Sequence, residues 1–226
     1  MPKNCKSLAH AIFRMDQPHG NVYAGVCKYI SDKHGGIHPY VYHIIDAPPE
    51  NGNLRDKLSI PKDALVFGRH GGKDTFSIDF VKPVIAKALE LRPDIYFLFL
   101  NTQPFINHSR VIYLDTIIDE VEKMKFIDSC DAMIHARLDG EIFSLSTAEF
   151  SIRNKPVITW DGHIPMYDRG HIEILKEKGI YYRDPQDLFN ILLNIDKNFI
   201  SSQLAMTLKN NKIKLKLRTR TTCSNS

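Results

Sequence analysis

Residues 132–159 read AMIHARLDGEIFSLSTAEFSIRNKPVIT. DAMIHA (131–136) is a short apolar run of the kind that forms a strand buried on both faces. SLSTAEFSIR (144–153) predicts a short helix, and PVITW (156–160) predicts another buried strand. Two such strands joined through a helix make a βαβ unit, whose strands are parallel and whose crossover is right-handed. The alternation continues upstream. ALVFG (64–68), IYFLFL (95–100) and RVIYLD (110–115) read as strands, and 77–92 and 117–130 as helices, with Pro83 confined to the first turns of its helix or kinking it. Downstream come a helix over 170–179 closed by Gly179, a strand at 180–182 and a helix over 184–195. That last helix has Asp184 at the N-cap and Pro185 at the first helical position. The expected fold class is α/β: a Rossmann-like parallel sheet with helices on both faces, spanning 58–196.

Residues 1–57 read as a separate piece and linker. A helix is expected around 22–33, broken by Gly35-Gly36, followed by a strand within YVYHIIDAPP (40–49) that stops at Pro48-Pro49. The chain has 226 residues, 43% of them hydrophobic and 25% charged, which excludes a disordered chain or a small disulfide scaffold. Its apolar runs fall short of the roughly 20 residues of a membrane helix. Cys5, Cys27, Cys130 and Cys223 are scattered without a CxxC pair. This argues against a zinc site and for a reducing, cytoplasmic setting. The formal net charge is +4, but all seven charges after Asp196 are basic, leaving residues 1–196 at −3. Residues 197–226 therefore read as a basic, solvated tail, and no nucleic-acid partner is expected.

In a parallel α/β sheet, ligands bind beyond the carboxyl ends of the strands. GRHGGKDTFS (68–77) follows the first of them. Gly68, Gly71 and Gly72 allow close backbone approach, and Arg69 and Lys73 add cations ahead of a helix N-terminus, a combination suited to a pyrophosphate. After DAMIHA come two carboxylates eight positions apart, Glu141 in the loop and Glu149 about two turns along the helix. The amides of Phe143, Ser144 and Leu145 open that helix and suit an anion. Glu149 lies between Ala148 and Phe150, so its carboxylate requires a partner, either ribose hydroxyls or a basic side chain. His135 and Arg137 stand in the same loop.

These residues resemble the donor-site signature of retaining GT-B glycosyltransferases of family 4. In that pattern two glutamates are separated by seven residues, with an aromatic residue and a leucine after the first and Lys-Pro-Val-Ile after the helix. Here Glu141, Phe143, Leu145, Glu149 and Lys155-Pro-Val-Ile stand in that register. IPKDALVFGRHGGKDTF is similar to the Gly-Arg…Lys loop that opens the same lobe. The resemblance covers about 58–195, and residues 8–50 look like the end of an acceptor-side lobe. Ile142 and Ser144 replace family glycines, which is expected to crowd the phosphates, and Lys73 follows Arg69 closely.

The resemblance implies transfer of a hexosyl group from a UDP-, GDP- or ADP-sugar to a glycan or other acceptor, with retention and without a metal or other cofactor. Arg69 and Lys73 would neutralise the departing diphosphate, and Glu141 would serve the sugar at the reaction centre. Gly68, Gly71, Gly72, His135, Arg137, Phe143, Ser144 and Leu145 would line the donor site. Glu149 would take the ribose hydroxyls, and backbone near 114–117 the base. The alternative is a nucleotide-sugar-binding module that lacks a complete acceptor lobe, non-catalytic or completed by a second chain. A receiver-type domain is disfavoured because GRHGG is basic where such domains carry acidic clusters.

Overall fold

The computed structural model describes residues 6–202, apart from 47, 50, 51, 163 and 165. Its elements, in order, are β1 (Leu8–Ala11), β2 (Val22–Gly25), α1 (Lys28–Lys33), β3 (Leu65–His70), α2 (Val81–Leu91), β4 (Ile95–Leu100), β5 (Val111–Leu114) and α3 (Glu120–Ser129). These are followed by β6 (Ala132–His135), β7 (Gly140–Glu141), α4 (Leu145–Ile152), β8 (Val157–Trp160), β9 (Asp168–Arg169), α5 (Gly170–Leu175), β10 (Gly179–Tyr182) and α6 (Pro185–Asn194).

Six of the strands form one all-parallel sheet in the order β10-β8-β6-β3-β4-β5. Numbered along the chain within this sheet, that is the doubly wound order 3-2-1-4-5-6, and it reverses between β3 and β6. The alternating side chains of β3 show how both faces are covered. Leu65 and Phe67 join α2 and α6 residues Ile85, Leu89, Leu188 and Leu192 in one core. Val66 faces the other core, with Phe126 of α3 and Phe150 of α4. Near-continuous apolar strands such as IYFLFL are what such two-sided burial requires.

Gly68 belongs to this packing. A Cβ there would lie 2.2 Å from Cys130 Sγ and 3.0 Å from Phe150 Cζ, so the residue lets α3 and α4 approach β3 rather than lining a ligand site as the sequence suggested. Gly68→Ala is expected to destabilise the fold by about 1–3 kcal/mol through overpacking. A denaturant midpoint equal to wild type would contradict this packing role.

Local capping follows the sequence closely. The Asp184 side chain accepts from the Asp187 amide with Pro185 at the start of α6, and Pro83 sits in the first turn of α2. Three expectations are corrected. The helix expected over 22–33 begins instead as β2, which pairs in parallel with Leu8–Ala11 and turns helical only at Lys28. A strand partner from outside the local window overrides the helical pattern. Among the described residues of YVYHIIDAPP there is no continuous strand. Tyr40 makes a single parallel bridge to Gly25, where β2 ends, so there is no further edge to follow. The helix expected over 170–179 stops at Leu175. A 3₁₀ turn follows, and Gly179 opens β10 opposite Val157 instead of closing a helix. Residues 203–226, most of the basic tail, lie outside the described residues.

The N-terminal piece docks on the loop that follows β6. Met15, Val26, Cys27 and Ile30 form a small core with Ile142, and Tyr29 and Lys33 of α1 hold the Asp168 carboxylate at 3.1 and 2.5 Å. Ile142 is 7% exposed and points into this core, so it joins the two parts of the molecule instead of crowding the loop.

Candidate active site

A cleft of about 470 Å³ lies at the carboxyl ends of β3 and β6, where the strand order reverses. His70 and Gly71 line it from β3, and Arg137 and Glu141 from the loop after β6. Phe143, Ser144, Leu145, Ser146 and Glu149 line it from the start of α4, and Lys123 from α3. Ile12, Phe13, Val26 and His43 of the N-terminal piece close the opposite wall. The His43 ring packs edge-on to Phe143 with centroids 5.8 Å apart.

The loop that carries Glu141 is pinned by short contacts. Gly140 adopts φ +68°, and a Cβ on it would lie 2.2 Å from the Asp168 main-chain oxygen. Only glycine suits that conformation so close to another backbone. The two-residue pairing of β7 with β9 then fixes Glu141 opposite Arg169. Arg137 Nη1 donates to Glu141 Oε2 at 3.2 Å, and His135 Nε2 stands 3.6 Å from Glu141 Oε1. Ser144 takes the N-cap of α4, its hydroxyl accepting from the Thr147 amide at 3.3 Å. A serine in place of a glycine therefore serves the helix, whose first amides and positive dipole end face the cleft.

Glu149 has the basic partners that its apolar setting demanded. Lys123 Nζ donates to Oε1 at 2.7 Å, and His70 Nε2 lies 2.9 Å from Oε2. Burial alone would push this carboxyl up, but the Lys123 hydrogen bond and the adjacent His70 outweigh it and hold the group below its ordinary value of 4.5. A carboxylate depressed in the folded state contributes stability above its unfolded pKa and loses it as pH falls through the folded value. The stability gap between wild type and Glu149→Gln is therefore expected to be full at neutral pH and to shrink below the ordinary value of 4.5. Paired denaturation curves at neutral and acid pH measure it, and a gap that widens in acid would refute the pairing.

Two proposed phosphate cations are placed elsewhere. Arg69 is 3% exposed. Its guanidinium donates to the Asn101 carbonyl at 3.1 Å, to the Gly72 carbonyl at 2.7 Å, to Thr75 Oγ1 at 2.6 Å and to Thr102 Oγ1. Burial pushes its pKa down to about 10, with Glu141 opposing the shift and Arg137 adding to it, so the group stays charged at neutral pH. It organises the loop from beneath and does not line the cleft. Lys73 is exposed outside the cleft lining, and Gly72 caps the Arg69 side chain with its carbonyl. The structure thus gathers Gly71, Arg137, Glu141, Phe143, Ser144, Leu145 and Glu149 around one cleft with His135 behind Glu141, and leaves out Gly68, Arg69, Gly72 and Lys73.

His70 and Lys123 escaped the sequence reading. Strand alternation carried the signal for His70, because a residue next to the inward Arg69 must face the other side of the sheet. Lys123 had no signal beyond its i, i+3 pairing with Glu120; its reach to Glu149 exists only in the packed fold. Among the described residues, no helix is long and apolar enough to cross a membrane.

No protein-family model matches the sequence, and no curated protein matches it. Solved structures match its fold. HepE from Anabaena in complex with UDP superposes with a TM-score of 0.62 at 15% identity, covering 94% of this chain and 72% of HepE. The UDP-glucose complex of HepE gives 0.56 at 17%, and there the chain spans 64% of HepE. WaaG, a glycosyltransferase involved in lipopolysaccharide biosynthesis, gives 0.56 at 13%, with 88% of this chain and 59% of WaaG covered. At such identities the likeness is one of fold: the chain contains the Rossmann-like lobe of the GT-B architecture.

Proposed function

We propose that this chain binds a nucleotide sugar and transfers its hexosyl group to a glycan or other acceptor with retention, as a family 4-like glycosyltransferase. One observation carries the reading: the switch-point cleft joins a helix N-terminus and Arg137 to two carboxylates held in different environments, Glu141 by Arg137 and Glu149 by Lys123 and His70. The amides opening α4, Gly71 and Arg137 neutralise the diphosphate, taking the part first given to Arg69 and Lys73. Glu149 receives the ribose hydroxyls, and Glu141 serves the sugar.

In the transfer, the anomeric C–O bond breaks and the nucleoside diphosphate leaves with its electron pair. The acceptor oxygen bonds to the same face, and its proton passes to the leaving diphosphate. Preorganised donors around the departing charge supply the main stabilisation, and the proposal needs no metal. The HepE complexes with UDP and UDP-glucose support the choice of ligand class. Free, buried Cys27 and Cys130 fit a cytoplasmic setting.

Calorimetry with UDP, GDP, ADP and their glucosides tests the binding step, and a sugar-transfer assay tests the chemistry. Binding by none of the six would end this reading. A second reading rests on the small N-terminal wall, where the described residues before 58 supply two four-residue strands and one six-residue helix. An acceptor held by so little loses part of the about 7–11 kcal/mol that orientation can supply. Nucleotide binding with slow or absent transfer by the 226-residue chain would favour a module completed by a partner. Rapid transfer by a verified monomer would exclude it.

A further inference from the structure

The Glu149 carboxylate is fixed by two elements outside its own helix. Lys123 of α3 donates to Oε1 at 2.7 Å, and the His70 ring of β3 stands 2.9 Å from Oε2. That ring is itself stacked on Phe150, with centroids 5.8 Å apart, and lies edge-on to Phe126 at 6.1 Å. Oε2 is buried beside it, and no hydrogen bond reaches this oxygen from the described residues. A ligand in the cleft that Glu149 and Lys123 line therefore meets Oε1, the oxygen that carries the ammonium.

Lys123 is held in turn. Glu120, one turn upstream, lies 2.8 Å from Nζ, so two carboxylates grip one ammonium whose side chain is 15% exposed. Burial opposes the charge on Nζ, but the hydrogen bonds to Glu120 and Glu149 outweigh it and raise the group above its ordinary value of 10.5. The ammonium thus stays charged at neutral pH and holds its partner ionised. An ionised carboxylate oxygen that accepts from Lys123 keeps a second lone pair for a hydroxyl. Such a charge-assisted bond is roughly twice as strong as one between neutral groups. Without the ammonium, burial would favour the protonated acid, and Oε1 would lose the contact that aims it.

We propose that Lys123 is a positioning residue for ribose recognition: it holds Glu149 Oε1 as an ionised acceptor in the cleft, and through Glu149 sets how strongly the site prefers ribonucleotides to deoxyribonucleotides. This rests on the nucleotide-sugar reading for the ligand, but not for the hold of Lys123 on Glu149. A site built to bind a hydroxyl leaves its polar group unpaired when the hydroxyl is missing, and the loss is largest where the acceptor is charged and fixed. A lysine that contacted the diphosphate would act differently, because its loss would weaken ribonucleotides and deoxyribonucleotides alike.

Calorimetry with UDP and its 2′-deoxy and 3′-deoxy counterparts reads the preference. In wild type, one or both deoxy compounds are expected to bind about tenfold more weakly than UDP. Lys123→Met should lose most of that ratio, while Lys123→Arg, which keeps a cation on a long stem, should retain most of it. Adding Lys123→Met to Glu149→Gln should change the ratio no further than Glu149→Gln alone, because the lysine acts through the carboxylate. Unfolding midpoints confirm that each variant folds. A wild-type ratio in Lys123→Met would overturn the inference, and equal weakening of all three nucleotides would assign the lysine to the diphosphate. Wild-type protein that binds all three alike would overturn it too, together with the ribose role of Glu149. If UDP does not bind, the GDP and ADP series take its place. A second measurement needs no nucleotide. Carbon-13 spectra of the full chain, with the Glu149 carboxyl assigned by its absence in Glu149→Gln, follow its titration. It should titrate below 4.5 in wild type and distinctly higher in Lys123→Met, where burial and Glu120 oppose the charge and His70 alone supports it. An unchanged titration would overturn the inference whatever binds. A shifted titration with no nucleotide bound would sink the proposed function and the ribose half of this inference, leaving the hold of Lys123 on Glu149.

Discussion

Glu141→Gln is expected to lower sugar turnover about 10²–10³-fold, the range for removing one preorganised electrostatic group. Nucleotide affinity should stay within about threefold, because an interaction made only at the reaction centre is lost from kcat and spared in ground-state binding. The geometry supports that separation. Glu141 sits on a two-residue strand pinned at Gly140, against Arg137 and His135, while Glu149 of α4, assigned to the ribose, is held by Lys123 of α3 and His70 of β3. Glu149→Gln should show the opposite pattern, weakening nucleoside and nucleoside diphosphate alike. Single-turnover rates beside calorimetric affinities measure both variants. Equal losses of nucleotide affinity in the two would remove the distinction between a sugar carboxylate and a ribose carboxylate.

Arg69→Ala should cost about 1–3 kcal/mol of folding stability, the scale for leaving buried acceptors without their donor. The sequence alone pointed instead to a direct diphosphate contact, worth about 1.5–3 kcal/mol of binding. The difference lies in where the guanidinium goes. It reaches across β4 to the 101–102 turn and back to Gly72 and Thr75, so its loss leaves carbonyls and hydroxyls without a donor beneath the loop. Urea denaturation of Arg69→Ala and Arg69→Lys measures this, with the lysine variant also expected to lose stability because it cannot reach several acceptors as a fork. A variant with wild-type stability and nucleotide binding weakened tenfold would put the guanidinium back on the phosphate.

Arg69 also shows where sequence reading stops. Its position after a buried strand and among glycines marks the right end of the sheet, and the cleft does lie there. The direction of its side chain depends on β4 lying next to β3, a neighbour 32 residues away in sequence whose turn offers acceptors. Gly68 and Ile142 follow the same rule. The glycine is required by the thickness of Phe150 and Cys130 against the sheet, and the isoleucine by a small core shared with residues 15–30.

The apolar runs and helix starts determined most of the Rossmann-like architecture without further help. The six-sheet strands and most of their covering helices are local patterns, with buried continuity for strands and period 3.6, with the Asp184-Pro185 start, for helices. Glu141 and Glu149 were likewise legible from their spacing in one loop and helix. What the local pattern could not determine was pairing across the chain: β1 with β2 in place of a helix, Lys123 and His70 on Glu149, and the His135–Thr159–His171 chain behind Glu141. Those contacts join segments up to 79 positions apart, as from His70 to Glu149, and a carboxylate's or an imidazole's chemistry depends on the groups around it in space. Local hydrophobic periodicity settles which residues are buried. Only the closed sheet settles which polar groups meet, because burial makes an unpaired charge costly and the packing decides which partner is within reach.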